Sequence, residues 1–233
     1  VSMDIPAAAA TGILGPNGSG KTTLLAVLLG MLSPRAGTLH IDGERQKCGP
    51  RQRVRQMIGW VPQDEYFPLG FTVLDYVLLG RAPHLGLLER PRASDYEVAE
   101  QAMERAGISA LSGRLVPSLS GGERQLAAIA RGLAQEPRVL LMDEPTSHLD
   151  LRNRGHIIGL IRSLVSKGVT VVFTTHDPNA AIAAAHSVVL MREGQIIATG
   201  PVETVITTES LAAAYGTRAE VVHVHGRPVV LAA

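Results

Sequence analysis

The sequence predicts an α/β protein built on a mainly parallel sheet covered by helices. Three observations point there: short β-rich apolar runs alternate with longer helical stretches, Gly, Pro and Asp punctuate the junctions, and 45% of the residues are hydrophobic. In order, residues 10–14 read as a buried strand, followed by a Gly-rich turn and a helical pattern over 21–32. Residues 37–41 alternate in polarity and close on the turn Asp42-Gly43, and 57–61 form a strand stopped by Pro62. Residues 72–118 differ in character, with helix favoured over 72–79, 94–106 and 108–111 and breaks at Pro83, Gly86, Pro91 and Gly113. Residues 121–135 hold helix formers up to Pro137. Strands then fall at 139–142, 169–174, 188–191 and 195–198, with helices at 151–166 and 179–185 between them. One domain, 1–233, is expected: an α/β core from 1–63 and 136–233, interrupted by a helical part over 64–135.

Composition narrows the function. A chain of 233 residues with 18% charged side chains can bury a core and is not of disordered type. Its net charge of +1 gives no bulk attraction to a nucleic-acid backbone, so no nucleic-acid partner is expected. One cysteine, Cys48, excludes an intrachain disulfide and a multi-cysteine metal site. No apolar run reaches the ~18 residues of a membrane span. Residues 1–10 lack a basic stretch ahead of an apolar one, so a cleaved leader is not expected there. A soluble, cytosolic-type protein is the expectation.

Gly15-Pro16-Asn17-Gly18-Ser19-Gly20-Lys21-Thr22 fits the pattern G-x-x-x-x-G-K-[ST], between an expected strand and an expected helix as the pattern requires. Its glycines let backbone N–H groups curl around an anionic oxygen cluster, and the helix N-terminus adds partial positive charge. Lys21 would reach the β- and γ-phosphates of a nucleoside triphosphate, and the Thr22 hydroxyl would bind Mg²⁺. The chain holds three lysines in all, Lys21, Lys47 and Lys167, so a lysine inside a motif is informative. Val139-Leu140-Leu141-Met142-Asp143-Glu144 is an apolar strand that ends in two carboxylates. Such a strand delivers them to the sheet edge where ligands of open α/β sheets sit. Asp143 suits Mg²⁺ held through water, and Glu144 suits a general base on the attacking water.

Leu119-Ser120-Gly121-Gly122-Glu123 combines a good N-cap with two glycines that leave a second helix N-terminus open to an anion. With this segment the chain resembles the nucleotide-binding domain of ATP-binding cassette (ABC) transporters. Five elements stand in the family's order: the loop at 15–22, Gln63 after Trp60-Val61-Pro62, 119–123, 139–144, and His176 after Thr174-Thr175. Ser147-His148-Leu149-Asp150 fits the connecting loop of the family. The resemblance implies a phosphate-loop core with an inserted helical part and an antiparallel β part. It also implies a head-to-tail homodimer that sandwiches two ATP molecules with Mg²⁺. In each site the loop from Gly15 to Thr23, Gln63, Asp143, Glu144 and His176 would come from one subunit; Gln63 would touch the metal and His176 the γ-phosphate. Ser120, Gly121 and Gly122 would come from the other subunit, adding charge stabilisation only when the dimer closes.

The run from Val73 to His84 resembles the cassettes of importers for iron-siderophore, haem and cobalamin, as does the tail around Glu193-Gly194-Gln195. An ATPase subunit of such an importer is therefore expected. It would sit at the cytoplasmic face of the membrane beside a permease and be served indirectly by a substrate-binding protein. His176-Asp177-Pro178-Asn179 also occurs in relatives that handle molybdate or tungstate, which is the alternative substrate reading. A cassette of translation, repair or chromosome type is the alternative of another class. It is disfavoured because residues 22–119 hold no heptad array and the chain holds one cassette.

Other features carry less. His223 and His225 share a strand face without a third ligand, and Arg51, Arg53 and Arg55, with Arg45 and Lys47 nearby, read as a solvated face. Residues 67–79 are core or, by the resemblance, the groove for a permease helix. Cassettes of the family begin with a further strand and an aromatic residue that stacks on adenine. Here residues 1–6 read as the second strand of that region, no aromatic precedes Gly15, and the chain opens on Val1. An in-frame segment of about two dozen residues with a Tyr or Phe is expected upstream, leaving the antiparallel β part truncated here.

Overall fold

The computed structural model describes residues 1–41, 43–46, 56–86, 88–217, 219–224 and 226–232. Its first half contains β1 (Ala10–Leu14), α1 (Lys21–Leu28), β2 (Leu39–Ile41), β3 (Glu44–Gln46) and β4 (Ile58–Val61). Three helices follow, α2 (Val73–Leu78), α3 (Ala93–Arg105) and α4 (Gly121–Ala134). Then come β5 (Val139–Met142), α5 (Leu151–Ser166), β6 (Thr170–Thr175), α6 (Pro178–Ala184), β7 (Ser187–Arg192) and β8 (Gln195–Pro201). The chain closes with α7 (Val202–Val205), α8 (Thr208–Tyr215), β9 (Ala219–Val224) and β10 (Arg227–Ala232).

Among the described residues one six-stranded sheet has the order β4-β5-β6-β1-β7-β8. Its first five strands are parallel and β8 lies antiparallel at the edge. Two antiparallel hairpins, β2–β3 and β9–β10, stand apart from it. Successive side chains of a strand face opposite sides, and the core is divided accordingly. Leu140 and Met142 of β5 and Val171 and Phe173 of β6 face helices α2 to α5, whereas Leu141 and Val172 face α1. Val188 and Leu190 of β7 join a third cluster with Leu211 and Ala214 of α8.

Most expected elements appear within a residue or two of their expected bounds; α5 and β5 coincide with them. The helix expected over 21–32 stops at Leu28, and residues 1–6 form no strand. Met3 and Ile5 instead pack their side chains against the α1 side of the core without any ladder. Asp42 of the expected turn, Lys47, Cys48, Arg51, Arg53, Arg55 and His225 lie outside the described residues. The strand-like stretch read at His223 falls in β9, whereas helix α8 and strand β10 go beyond the sequence expectations. Thr207 caps α8 by accepting the Ser210 N–H, and Gly216 at φ +69° ends it in the left-handed region.

Two arginines organise the helical layer. Arg81, 8% exposed, donates to Asp95 Oδ1 at 3.0 Å, to the Ala134 carbonyl at 2.8 Å and to Glu136 Oε2 at 2.8 Å. Asp95 also accepts the Arg92 N–H at the start of α3. That N–H, aided by Arg81, holds its carboxyl below the usual carboxylate range against the opposing effect of burial. Its stabilisation is therefore complete above the ordinary carboxylate range and is lost as pH falls through the lower folded value. Asp95→Ala is expected to cost about 1–3 kcal/mol in urea melts at neutral pH, because it leaves the buried Arg81 Nε without its acceptor and removes a cap. The difference from the parent protein should shrink below about pH 4. Arg131 of α4 is the second organiser. It donates to the Trp60 carbonyl at 3.2 Å, to Tyr76 Oη at 3.1 Å and to Glu65 Oε2 at 3.1 Å, tying α2 and both flanks of Gln63 to one helix.

Candidate active site

Four neighbouring parallel strands deliver the site. In sheet order, β4 leads to Gln63, β5 to Asp143 and Glu144, β6 to His176, and β1 to the loop before α1. All four segments leave the same carboxyl edge of the sheet, with strands ~4.8 Å apart, so residues distant in sequence converge there. The cleft at that edge is lined by residues 17–23, Gln63, Glu144, Ser147, His148 and His176.

The loop is shaped by its glycines. A Cβ on Gly15 would lie 2.3 Å from the Met191 carbonyl oxygen and 2.7 Å from Ser19 Oγ, so no larger residue fits between β1 and β7. Gly18 and Gly20 have φ of +79° and +96°, a region costly for other residues. Gly20 precedes α1 without a side-chain cap, and the first turn holds no acidic residue. The helix N-terminus is thus left open to an anion. Lys21, 6% exposed, donates to the Gly15 carbonyl at 2.9 Å and the Pro16 carbonyl at 3.2 Å. Gly15 and Pro16 therefore anchor the lysine from behind the cleft rather than lining it.

Glu144 faces the loop. Its backbone sits at φ +49°, strained for a residue with a Cβ, and is held there by its N–H donating to Thr174 Oγ1 at 2.8 Å. The same threonine hydroxyl donates to Asp143 Oδ1, which lies 2% exposed behind the cleft wall. Glu144 Oε1 is 3.6 Å from Lys21 Nζ, and Oε2 is 2.9 Å from His176 Nδ1. An ionised carboxylate only accepts, so in this pairing Nδ1 carries the proton. Arg154 of α5 donates to Asp177 at 3.0 Å, fixing the loop just after the imidazole.

Ser120, Gly121 and Gly122 do not line this cleft. Ser120 caps α4, its Oγ accepting the Glu123 N–H at 3.3 Å while its own N–H donates to Glu123 Oε2 at 2.7 Å. Its hydroxyl proton stays available for donation. The backbone N–H of Ser120 holds Glu123 below the usual carboxylate range. Residues missed at this site are Thr174, which holds the Asp143 carboxylate and the Glu144 backbone N–H, and Ser147 and His148 as lining groups. His148 stands at φ +59°, a strain no sequence pattern reports. The donors expected at a cation, the Thr22 hydroxyl, the Gln63 amide and the Asp143 carboxylate, are hard oxygens, a set that suits Mg²⁺.

A polyphosphate is the ligand that an open helix N-terminus above a buried lysine can hold, and the protein class so defined is the phosphate-loop nucleoside triphosphatases. Within that class the chain belongs to the ABC transporter family, whose profile matches residues 1–147. It is 41% identical to the molybdate import ATP-binding protein MolC of Haemophilus influenzae over 87% of this chain and 75% of that one. It is 37% identical to the ferric enterobactin transport ATP-binding protein FepC of Escherichia coli over 99% of this chain and 86% of that one. A solved ABC transporter described as metal-chelate type, in an inward-facing conformation, superposes with a TM-score of 0.87 at 35% identity. That match covers 99% of this chain and 89% of the other. Among the described residues no helix is long and apolar enough to cross a membrane.

Proposed function

We propose that the chain is the ATP-hydrolysing subunit of an ABC importer, driving uptake of an iron-chelate, haem or cobalamin-type substrate through a membrane permease. The observation that carries the hydrolytic part is the meeting of Lys21, Glu144 and His176 beside the open N-terminus of α1. In this reading the loop backbone and Lys21 bind the β- and γ-phosphates. Glu144 takes a proton from the water whose oxygen attacks the γ-phosphorus as the bond to the β–γ bridging oxygen breaks. His176 orients Glu144 through Nδ1 and presents its other nitrogen to the terminal phosphate. Mg²⁺ would be held by Thr22, Gln63 and, through water, Asp143, and when bound it neutralises charge on the phosphate oxygens. The helical part over 64–135 is read as a unit inserted in the α/β core.

A second copy of the chain completes the site. Ser120, Gly121 and Gly122 sit at the N-terminus of α4, which does not line its own cleft, and this supports their service to a partner's ATP in a head-to-tail homodimer. At the membrane the chain would lie on the cytoplasmic face against the permease, with a substrate-binding protein on the far side.

The iron-chelate class is supported by the near full-length likeness to FepC and to the metal-chelate type transporter. Likeness to MolC favours molybdate or tungstate as a second reading. Co-expression with the permease encoded beside it, followed by reconstitution with the binding protein, separates them. Membrane-dependent ATPase stimulated by a ferric chelate, haem or a corrinoid is the expected result. Stimulation by molybdate or tungstate alone would favour the second reading, and stimulation by ribosomes or DNA would overturn both.

A further inference from the structure

The loop carrying His176 is gripped from the C-terminal end of the chain. Tyr215, the last residue of α8, donates its hydroxyl to the His176 carbonyl oxygen at 2.9 Å, across 39 residues of sequence. Three positions further on, Asn179 makes two hydrogen bonds with the backbone of Val230 in β10. Its Nδ2 donates to the carbonyl and its Oδ1 accepts the N–H, each at 2.9 Å. The hairpin is fixed to α8 in turn, with the Val221 N–H donating to Thr208 Oγ1 at 3.2 Å. None of these contacts is required by the hydrolytic reading, yet all bear on the residue whose ring meets Glu144 at 2.9 Å.

We infer that Tyr215 is a positioning residue for ATP hydrolysis: by holding the His176 carbonyl, it sets the reach of the imidazole between Glu144 and the terminal phosphate. The inference rests on the cleft being the hydrolytic site. Burial, with the Glu144 and Asp177 carboxylates adding to it, raises the Tyr215 hydroxyl above the ordinary tyrosine value. It therefore stays protonated, as a donor must. A backbone carbonyl has no side chain to substitute, so the hydroxyl is where the link can be cut cleanly.

Tyr215→Phe keeps the ring and its packing and removes one hydrogen bond. In the full chain, kcat is expected to fall about 3- to 10-fold, the range of one net hydrogen bond. The KM for ATP should stay within about twofold, and the melting midpoint within ~2 °C. The NMR signals of the His176 ring, assigned by their loss in His176→Ala, should shift in Tyr215→Phe and stay put in Tyr96→Phe, a tyrosine of α3. An unchanged kcat overturns the proposal whatever the ring signals do. A lowered kcat with unmoved His176 signals overturns it as well, since the hydroxyl would then serve only structure. Full turnover in His176→Ala would instead sink the reading of the cleft, while the ring signals still report the Tyr215 link.

Discussion

Glu144→Gln is expected to keep ATP binding and to cut hydrolysis by ~10²–10⁴-fold, the usual contribution of a general base. The substitution preserves shape and leaves a carbonyl oxygen to accept from His176 Nδ1, which sits 2.9 Å from Oε2. What it removes is the negative charge that draws a proton from water. Lys21, 3.6 Å from Oε1, loses an anionic competitor and is freer to bind phosphate. The ATP-bound dimer should therefore accumulate, and size exclusion with ATP and Mg²⁺ reads it directly. A monomer alone under those conditions would remove either the base or the dimer from the account.

Lys21→Ala is expected to abolish turnover, measured as phosphate release. The chain holds three lysines, and neither of the others lies in the motif, so nothing in it replaces this charge at the γ-phosphate. The loss is structural as well. Lys21 Nζ satisfies the Gly15 and Pro16 carbonyls from a site 6% exposed, and Ala would leave the loop without its internal tether. Retained turnover in this variant would refute the phosphate-loop assignment outright.

Legibility in the sequence followed how local the determining physics was. The loop at 15–22 could be read because turn, lysine and helix start are contiguous. Strand β5 could be read because four apolar residues run straight into two carboxylates. Helix α8 escaped because eight residues give barely two turns of periodicity, and its start rests on a Thr207–Ser210 cap rather than on an acidic one. Thr174 looked like one more β-branched strand residue; only the pairing of β5 with β6 puts its hydroxyl under both Asp143 and Glu144. Tyr215 was beyond reach for the same reason, since its partner is a main-chain oxygen that no residue type announces. The short strand read into residues 1–6 shows the converse: apolar alternation at Met3 and Ile5 is satisfied by burial alone when no neighbouring strand offers a ladder.

Arg131 joins the helical layer to the strand edge that carries Gln63. Its guanidinium grips the Trp60 carbonyl and the Glu65 carboxylate, on either side of Gln63, from near the far end of the helix that Ser120 begins. Eleven residues separate Ser120 from Arg131, a span of about 16 Å at 1.5 Å per residue. A tilt of roughly 10° about the arginine would swing the Ser120 end by about 3 Å, the difference between a hydrogen bond and none. Gln63 lines the chain's own nucleotide cleft, whereas Ser120 does not. One side chain thus ties the orientation of the Ser120 end to the segment that carries Gln63, so the two ends of the helix answer to different nucleotide-facing groups.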